Sequence, residues 1–208
     1  MSDHGSGAPF EQPVSFAFTP ENLAKAKAYI AKYPPGRQAS AVLWLLYLAQ
    51  EQHDNWVPRA AMDVIAEMLE MPPIRVYEVA SFYTMFNLRP VGRHFLQICT
   101  TTPCWLRGSD EIVAACKKKL GIGVGETTQD KKFTLFEVEC LGACVNAPII
   151  QVNNGDFYED LDGPATERLI DALARGEKPP GGSVKGRQGS APEGGPKTLI
   201  SPDLPGLK

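Results

Sequence analysis

The chain has 208 residues, 43% of them apolar and 22% charged, enough for one large domain or two small ones with a real core. A net charge of −3 lacks the basic footprint that nucleic acid demands, so no nucleic-acid partner is expected. The longest strongly apolar run, AVLWLLYLA at 41–49, falls far short of the roughly 20 residues that span a bilayer.

Residues 1–17 are polar and aperiodic and read as an arm. They carry neither the basic start and apolar stretch of a secretory signal nor the arginines of a transit peptide, so a cytoplasmic location is expected. From Thr19 the text turns helical: Thr19 suits an N-cap, Pro20 the first helical position, and Leu23, Ala26, Tyr29, Ile30 and Tyr33 recur at helical spacing until Pro34-Pro35. Further helices are expected over 38–52, 58–70 and 74–86, the last offering Val76, Val79, Phe82 and Tyr83 for packing. These make a four-helix domain over 18–90.

The texture then changes. Residues 94–100 read as a strand, Ser109 as the cap of a helix reaching Leu120, and Gly121 as its end. Residues 133–139 alternate as a half-buried strand. Strands at 149–152 and 157–159 flank Asn153-Asn154-Gly155-Asp156, a hairpin signal. Gly163-Pro164 opens a last helix that buries Ala165, Leu169, Ile170 and Leu173. The order of these elements implies an α+β protein, its second domain, 91–176, a thioredoxin-like α/β sandwich with Ala147-Pro148 at the place where such folds set a cis proline. Residues 177–208 are rich in glycine and proline and read as an extended tail, apolar again at Leu199, Ile200 and Leu204, fit to be laid on another protein.

Five cysteines without an export signal argue against a disulfide framework. Cys99 and Cys104 are separated by four residues and Cys140 and Cys144 by three, each pair just after an expected strand. Two close pairs on adjacent loops supply the four thiolates that an iron–sulfur cluster or a structural zinc would take. Zinc knuckles favour C-x₂-C on each side, and thiol–disulfide exchange wants C-x-x-C; neither spacing occurs, though spacing alone leaves both open. Gly142, between the second pair, would let backbone N–H groups approach sulfur. Cys116 shares a helix face with Ile112, Val113 and Leu120 and reads as core. GIGVGE at 121–126 follows a helix and ends in Glu126, so it is not a dinucleotide fingerprint. His4, His53 and His94 show no ligand spacing, and Trp105, beside a cysteine, either shields the site or packs.

The phrases LLYLAQEQ (45–52), VYEVASFYTMF (76–86), CTTTPC, ECLGACVNAP and GRQGSAPEGG together resemble the small [2Fe–2S] subunit of the NADH-oxidising module of respiratory complex I, a thioredoxin-like ferredoxin family. The resemblance implies one [2Fe–2S] cluster on Cys99, Cys104, Cys140 and Cys144, and an electron-transfer role in NADH:quinone oxidoreductase. It further implies FMN and NADH on a partner subunit, other peripheral-arm subunits of complex I alongside, and a place on the cytoplasmic side of a bacterial inner membrane. The diaphorase of an NAD-linked hydrogenase or formate dehydrogenase is the alternative within the family, a non-redox four-cysteine zinc scaffold the alternative outside it. With no ligand beyond Cys144, truncation after Gly176 is expected to leave cluster loading unchanged.

Overall fold

The computed structural model describes residues 10–187 and Gly189. These divide into two units, one within Met1–Phe95 and Gly125–Thr134, the other within Leu96–Val124 and Leu135–Lys208.

In the first unit the arm is tied down from Phe10 onward: its ring meets Trp56 edge-on at 5.5 Å and Gln12 Oε1 accepts from the Arg59 N–H at 3.0 Å. Helix α1 (Pro20–Ile30) starts as its sequence says, with Pro20 in the first turn and Thr19 Oγ1 accepting from the Asn22 N–H at 3.3 Å. A 3₁₀ turn at Gln38–Ala41 leads into α2 (Val42–Gln52), followed by α3 (Arg59–Met68) and α4 (Pro73–Phe82). Their apolar stripes meet in one core that includes Leu45, Leu46, Ile65, Val76 and Phe86. Helix α4 stops four residues before the expected end at 86, because Tyr83 turns to extended backbone and carries Phe86 out of the helical path into the core. Val76 is buried, but Phe82 and Tyr83 are exposed, which corrects their assignment to packing. Gln50 satisfies the backbone there: Nε2 donates to the Met85 carbonyl at 3.0 Å and Oε1 accepts from Asn87 N–H at 2.7 Å.

The sheet has strand order β2-β1-β3-β4-β5, with β1 His94–Cys99, β2 Phe133–Val138, β3 Ile150–Val152, β4 Asp156–Glu159 and β5 Gly182–Ser183. Backbone N–H groups of Arg93, His94 and Thr100 reach the carbonyls of Lys131, Lys132 and Val138 at a constant offset, so β1 and β2 run the same way. β3 is antiparallel to both β1 and β4, and β4 is parallel to β5. The β3–β4 hairpin places Asn153 and Asn154, both at φ 54°, at its tip, so the asparagine pair takes the left-handed positions and Gly155 closes the turn on the Val152 carbonyl. Gln97 grips that tip, donating to Asn154 Oδ1 at 2.7 Å and accepting from the Asn154 N–H at 3.0 Å.

Helices α5 (Thr102–Leu106), α6 (Ser109–Leu120) and α7 (Gly163–Ala174) complete the second unit. Ile112, Val113 and Cys116 of α6 are buried, as are Ala165, Leu169, Ile170 and Leu173 of α7, and the two helices pack on each other with a Lys119–Asp171 ion pair of 2.8 Å. Ser109 does not cap α6: it is the first helical residue, Gly108 takes the cap, and the Ser109 hydroxyl is buried without a hydrogen-bond partner among the described residues. Asp162 caps α7, its Oδ1 accepting from the Ala165 N–H at 2.7 Å. The Gly/Pro-rich segment past 176 joins this unit through β5, and Ala147-Pro148 is cis. The expected docking residues Leu199, Ile200 and Leu204 lie outside the described residues.

Candidate functional site

β1 ends at Cys99, whose N–H bonds the Ile149 carbonyl at 3.2 Å, so the chain leaves the sheet with its sulfur already placed. Thr101 is extended and Pro103 fits the first turn of a helix, and the chain at once forms α5, which carries Cys104. The two thiols are 1% and 0% exposed. Trp105 next along α5 is 56% exposed, with Nε1 donating to Asp110 Oδ2 at 3.1 Å, so it does not fill the core.

β2 delivers the second pair onto a loop with no regular structure until Cys144 opens a 3₁₀ turn, Cys144–Asn146. Cys140 is exposed and Cys144 half-buried; their sulfurs are 3.3 Å apart as free thiols. Gly142 sits at φ 81°, a region that only glycine enters at no cost, and its N–H points at Cys140 Sγ, 3.4 Å away. Leu141 and Ala143 of this loop pack against buried Cys99 and Cys104, together with Ala147 and Ile149. The two loops therefore meet. All four sequence-predicted site cysteines lie in the second unit, while Cys116 is buried on α6. His53 and His94 lie in the first unit, and His4 lies outside the described residues.

The thiols feel one another. Burial opposes ionisation of Cys99, but hydrogen bonds from the Thr101 hydroxyl (3.2 Å) and backbone, from Cys104 and from the Leu141 backbone outweigh it and hold the thiol below its ordinary value. Cys104 is pushed up to about 12, first by burial, then by its hydrogen bond with Cys99 and the charges of Cys99 and Cys144. Cys144 is raised by its hydrogen bond with Cys140, then by burial and by the charges of Cys140 and Cys99. Each loop thus penalises charge on the other, a conflict that a cationic iron centre would relieve. Among the described residues no group of three or more His, Cys, Asp and Glu converges to hold a single metal ion; the thiols come as two pairs. Soft sulfur donors in two pairs, with backbone N–H groups beside them, fit a binuclear iron–sulfur group.

Sequence reasoning missed α5, although Thr-Thr-Pro before Cys104 is a helix-start signal. It also missed the contacts of Asp160 and Arg187 with the second loop. Asp160 donates its N–H to the Asn146 carbonyl at 2.7 Å, and Arg187 donates to the Val145 carbonyl at 2.7 Å.

Two thiol pairs brought together where β1 and β2 leave the sheet are the donor set that an iron–sulfur carrier on a thioredoxin-like scaffold would need. The chain belongs to the thioredoxin-like [2Fe-2S] ferredoxin family, whose profile matches residues 26–174. It is similar to an NADH-quinone oxidoreductase subunit of Rickettsia bellii, 57% identical over 76% of this chain and 95% of the relative. It is also similar to the mitochondrial NADH dehydrogenase [ubiquinone] flavoprotein 2 of Dictyostelium discoideum, 48% identical over 98% of this chain and 82% of the relative. Among solved structures, an NAD+-reducing [NiFe]-hydrogenase shares the fold, with a TM-score of 0.55 and 22% identity over 64% of this chain and 23% of that one.

Proposed function

We propose that this chain is an electron-transfer subunit of an NADH:quinone oxidoreductase, holding one [2Fe–2S] cluster on Cys99, Cys104, Cys140 and Cys144 and exchanging single electrons with the flavin of an NADH-binding partner. The observation that carries this reading is the meeting of a buried thiol pair with a surface pair through Leu141 and Ala143. When bound, the cluster supplies a site that accepts and returns one electron. The chain's own residues do the rest. Cys99 and Cys104 bind from the buried side and keep water away, while the exposed Cys140 shortens the route to a partner. Added electron density at sulfur is favoured by N–H donors such as that of Gly142.

Trp105, Leu106 and Val145, each close in sequence to a cysteine of the pairs, are 56%, 70% and 57% exposed, an apolar rim suited to a docked flavoprotein. The two named relatives, at 57% and 48% identity, favour a quinone-linked host over the diaphorase of a hydrogenase, to which only a likeness of fold extends. Among the described residues no helix is long and apolar enough to cross a membrane. Attachment to the cytoplasmic side of a bacterial inner membrane would run through partner subunits. FMN and NADH belong on the partner.

Anaerobic purification tests the reading. A reddish-brown chain with about two irons and two sulfides is expected for this cluster type. A colourless chain with stoichiometric zinc would overturn it.

A further inference from the structure

The loop that bears Cys144 has little regular structure of its own, yet its main chain is gripped at three points within four residues. The Val145 carbonyl accepts from Arg187 Nη2 at 2.7 Å, the Asn146 carbonyl from the Asp160 N–H at 2.7 Å, and the Pro148 carbonyl from the Leu161 N–H at 3.2 Å. The Asn146 side chain adds a hydrogen bond to Glu159 Oε2. Two of these points converge on one ion pair. Arg187 Nε donates to Asp160 Oδ2 at 2.8 Å and Nη2 to Oδ1 at 2.7 Å, the side chains being 17% and 0% exposed. Ser183 donates its hydroxyl to Asp160 Oδ2 at 2.6 Å, and its Oγ accepts from the Lys185 N–H at 3.2 Å. Asp160 itself stands at φ 55°, a left-handed conformation that aspartate tolerates.

The arginine reaches this place because the segment after Gly176 is laid along β4. Lys178 pairs with Asp156 at 2.8 Å, the Tyr158 hydroxyl donates to the Pro179 carbonyl at 3.1 Å, Gly182 and Ser183 pair with Tyr158 and Glu159, and the Val184 N–H bonds the Glu159 carbonyl at 3.0 Å. A planar fork with several donors can clasp both carboxylate oxygens side by side and still give an N–H to a carbonyl, a geometry that an ammonium does not match.

From this geometry, and resting on the ligand reading above, we propose that Arg187 is a positioning residue of the cluster: clamped by Asp160, it fixes the Val145 carbonyl and so presets the turn that presents Cys144. The segment through Arg187 is then part of the cluster site. This reverses the expectation that residues past Gly176 add nothing to cluster loading. Groups one step removed from metal ligands typically alter metal retention by about 10–100-fold when removed.

The test uses the full, anaerobically loaded chain as wild type, Arg187→Ala, Arg187→Lys and Lys178→Ala. The last removes a strap ion pair that touches neither cysteine loop. Three quantities are followed: the rate of iron transfer to a chelator at 25 °C, the EPR g-values of the reduced protein, and the far-UV thermal transition. Arg187→Ala is expected to release iron on the order of 10-fold faster and to shift the g-values. Arg187→Lys, which keeps the charge but not the fork, falls between, and Lys178→Ala behaves as wild type. Wild-type iron release and g-values in Arg187→Ala would overturn the proposal, as would a lowered thermal transition with unchanged release at 25 °C. If Arg187→Ala does not fold, Arg187→Lys decides by the same criteria. A wild-type chain that takes up no cluster would sink the ligand reading, and this proposal with it.

Discussion

Cys99 and Cys104 are almost wholly buried and are placed by regular structure, the last residue of β1 and a turn of α5. Cys140 is exposed and Cys144 half-buried, on a loop whose shape is set by hydrogen bonds: its own Gly142 N–H toward Cys140 and, from elsewhere, the grip of Asp160, Leu161 and Arg187 on 145–148. One pair is held by burial and main-chain regularity, the other by polar contacts that water can contest. The difference separates two requirements of an electron carrier. A sheltered side keeps the centre intact, and an open side lets a partner come near.

Breaking the ligands gives the largest effect. Each of Cys99→Ser, Cys104→Ser, Cys140→Ser and Cys144→Ser is expected to lose or cripple the cluster, because oxygen is a poorer and harder ligand than thiolate. The pairs then part company in stability. A serine at 99 or 104 puts a hydroxyl into a buried site, where any hydrogen bond it fails to make costs about 1–3 kcal/mol, whereas at 140 it meets water. Iron content and thermal midpoints measured side by side would show both.

The same contrast appears without metal. In the folded, reduced, cluster-free chain at pH 8, iodoacetamide should modify Cys140 first, since it is exposed. Cys104 and Cys116, both 0% exposed and held near 12 instead of 9, have about a thousandfold less thiolate than an ordinary cysteine and should react only after denaturation. Peptide mass mapping over time checks the order. Equal labelling of Cys104 and Cys140 would mean that the first pair is not sheltered.

Gly142→Ala probes the open loop more gently. Nothing lies within 4 Å of the added Cβ, so the cost is the left-handed backbone alone, about 1–2 kcal/mol. Disturbing the N–H aimed at Cys140 should also lower the reduction potential, read by a titration followed by EPR. Cys116→Ala gives the smallest effect: it should cost about 1 kcal/mol for a small cavity and leave iron content unchanged.

The cysteine spacing, the four strands that bracket the site and the cap at Thr19 were legible because each rests on local chemistry: close-spaced thiols, alternation, a hydroxyl before a proline. α5 offered only its start signal, since five residues are too few to display a helical period. The end of α4 escaped for another reason. Val76 to Tyr83 has the right period, and only the core's demand for Phe86 stops the helix at Phe82. β5 is Gly182-Ser183, residues with no strand preference, recruited because the edge of β4 needs partners. Arg187 looks like any charge in a Gly-rich stretch until folding brings it to a carboxylate 27 residues earlier in the sequence.

The central claim is that these two thiol pairs hold a centre that takes one electron at a time. The most direct test is a stoichiometric reduction of the loaded chain with EPR spin counting. One electron per chain should yield close to one S = 1/2 spin with a rhombic signal, lost or diminished in each of the four Cys→Ser variants and retained in Cys116→Ala. Uptake of two electrons with no spin, or a full spin in Cys104→Ser and none in Cys116→Ala, would contradict it.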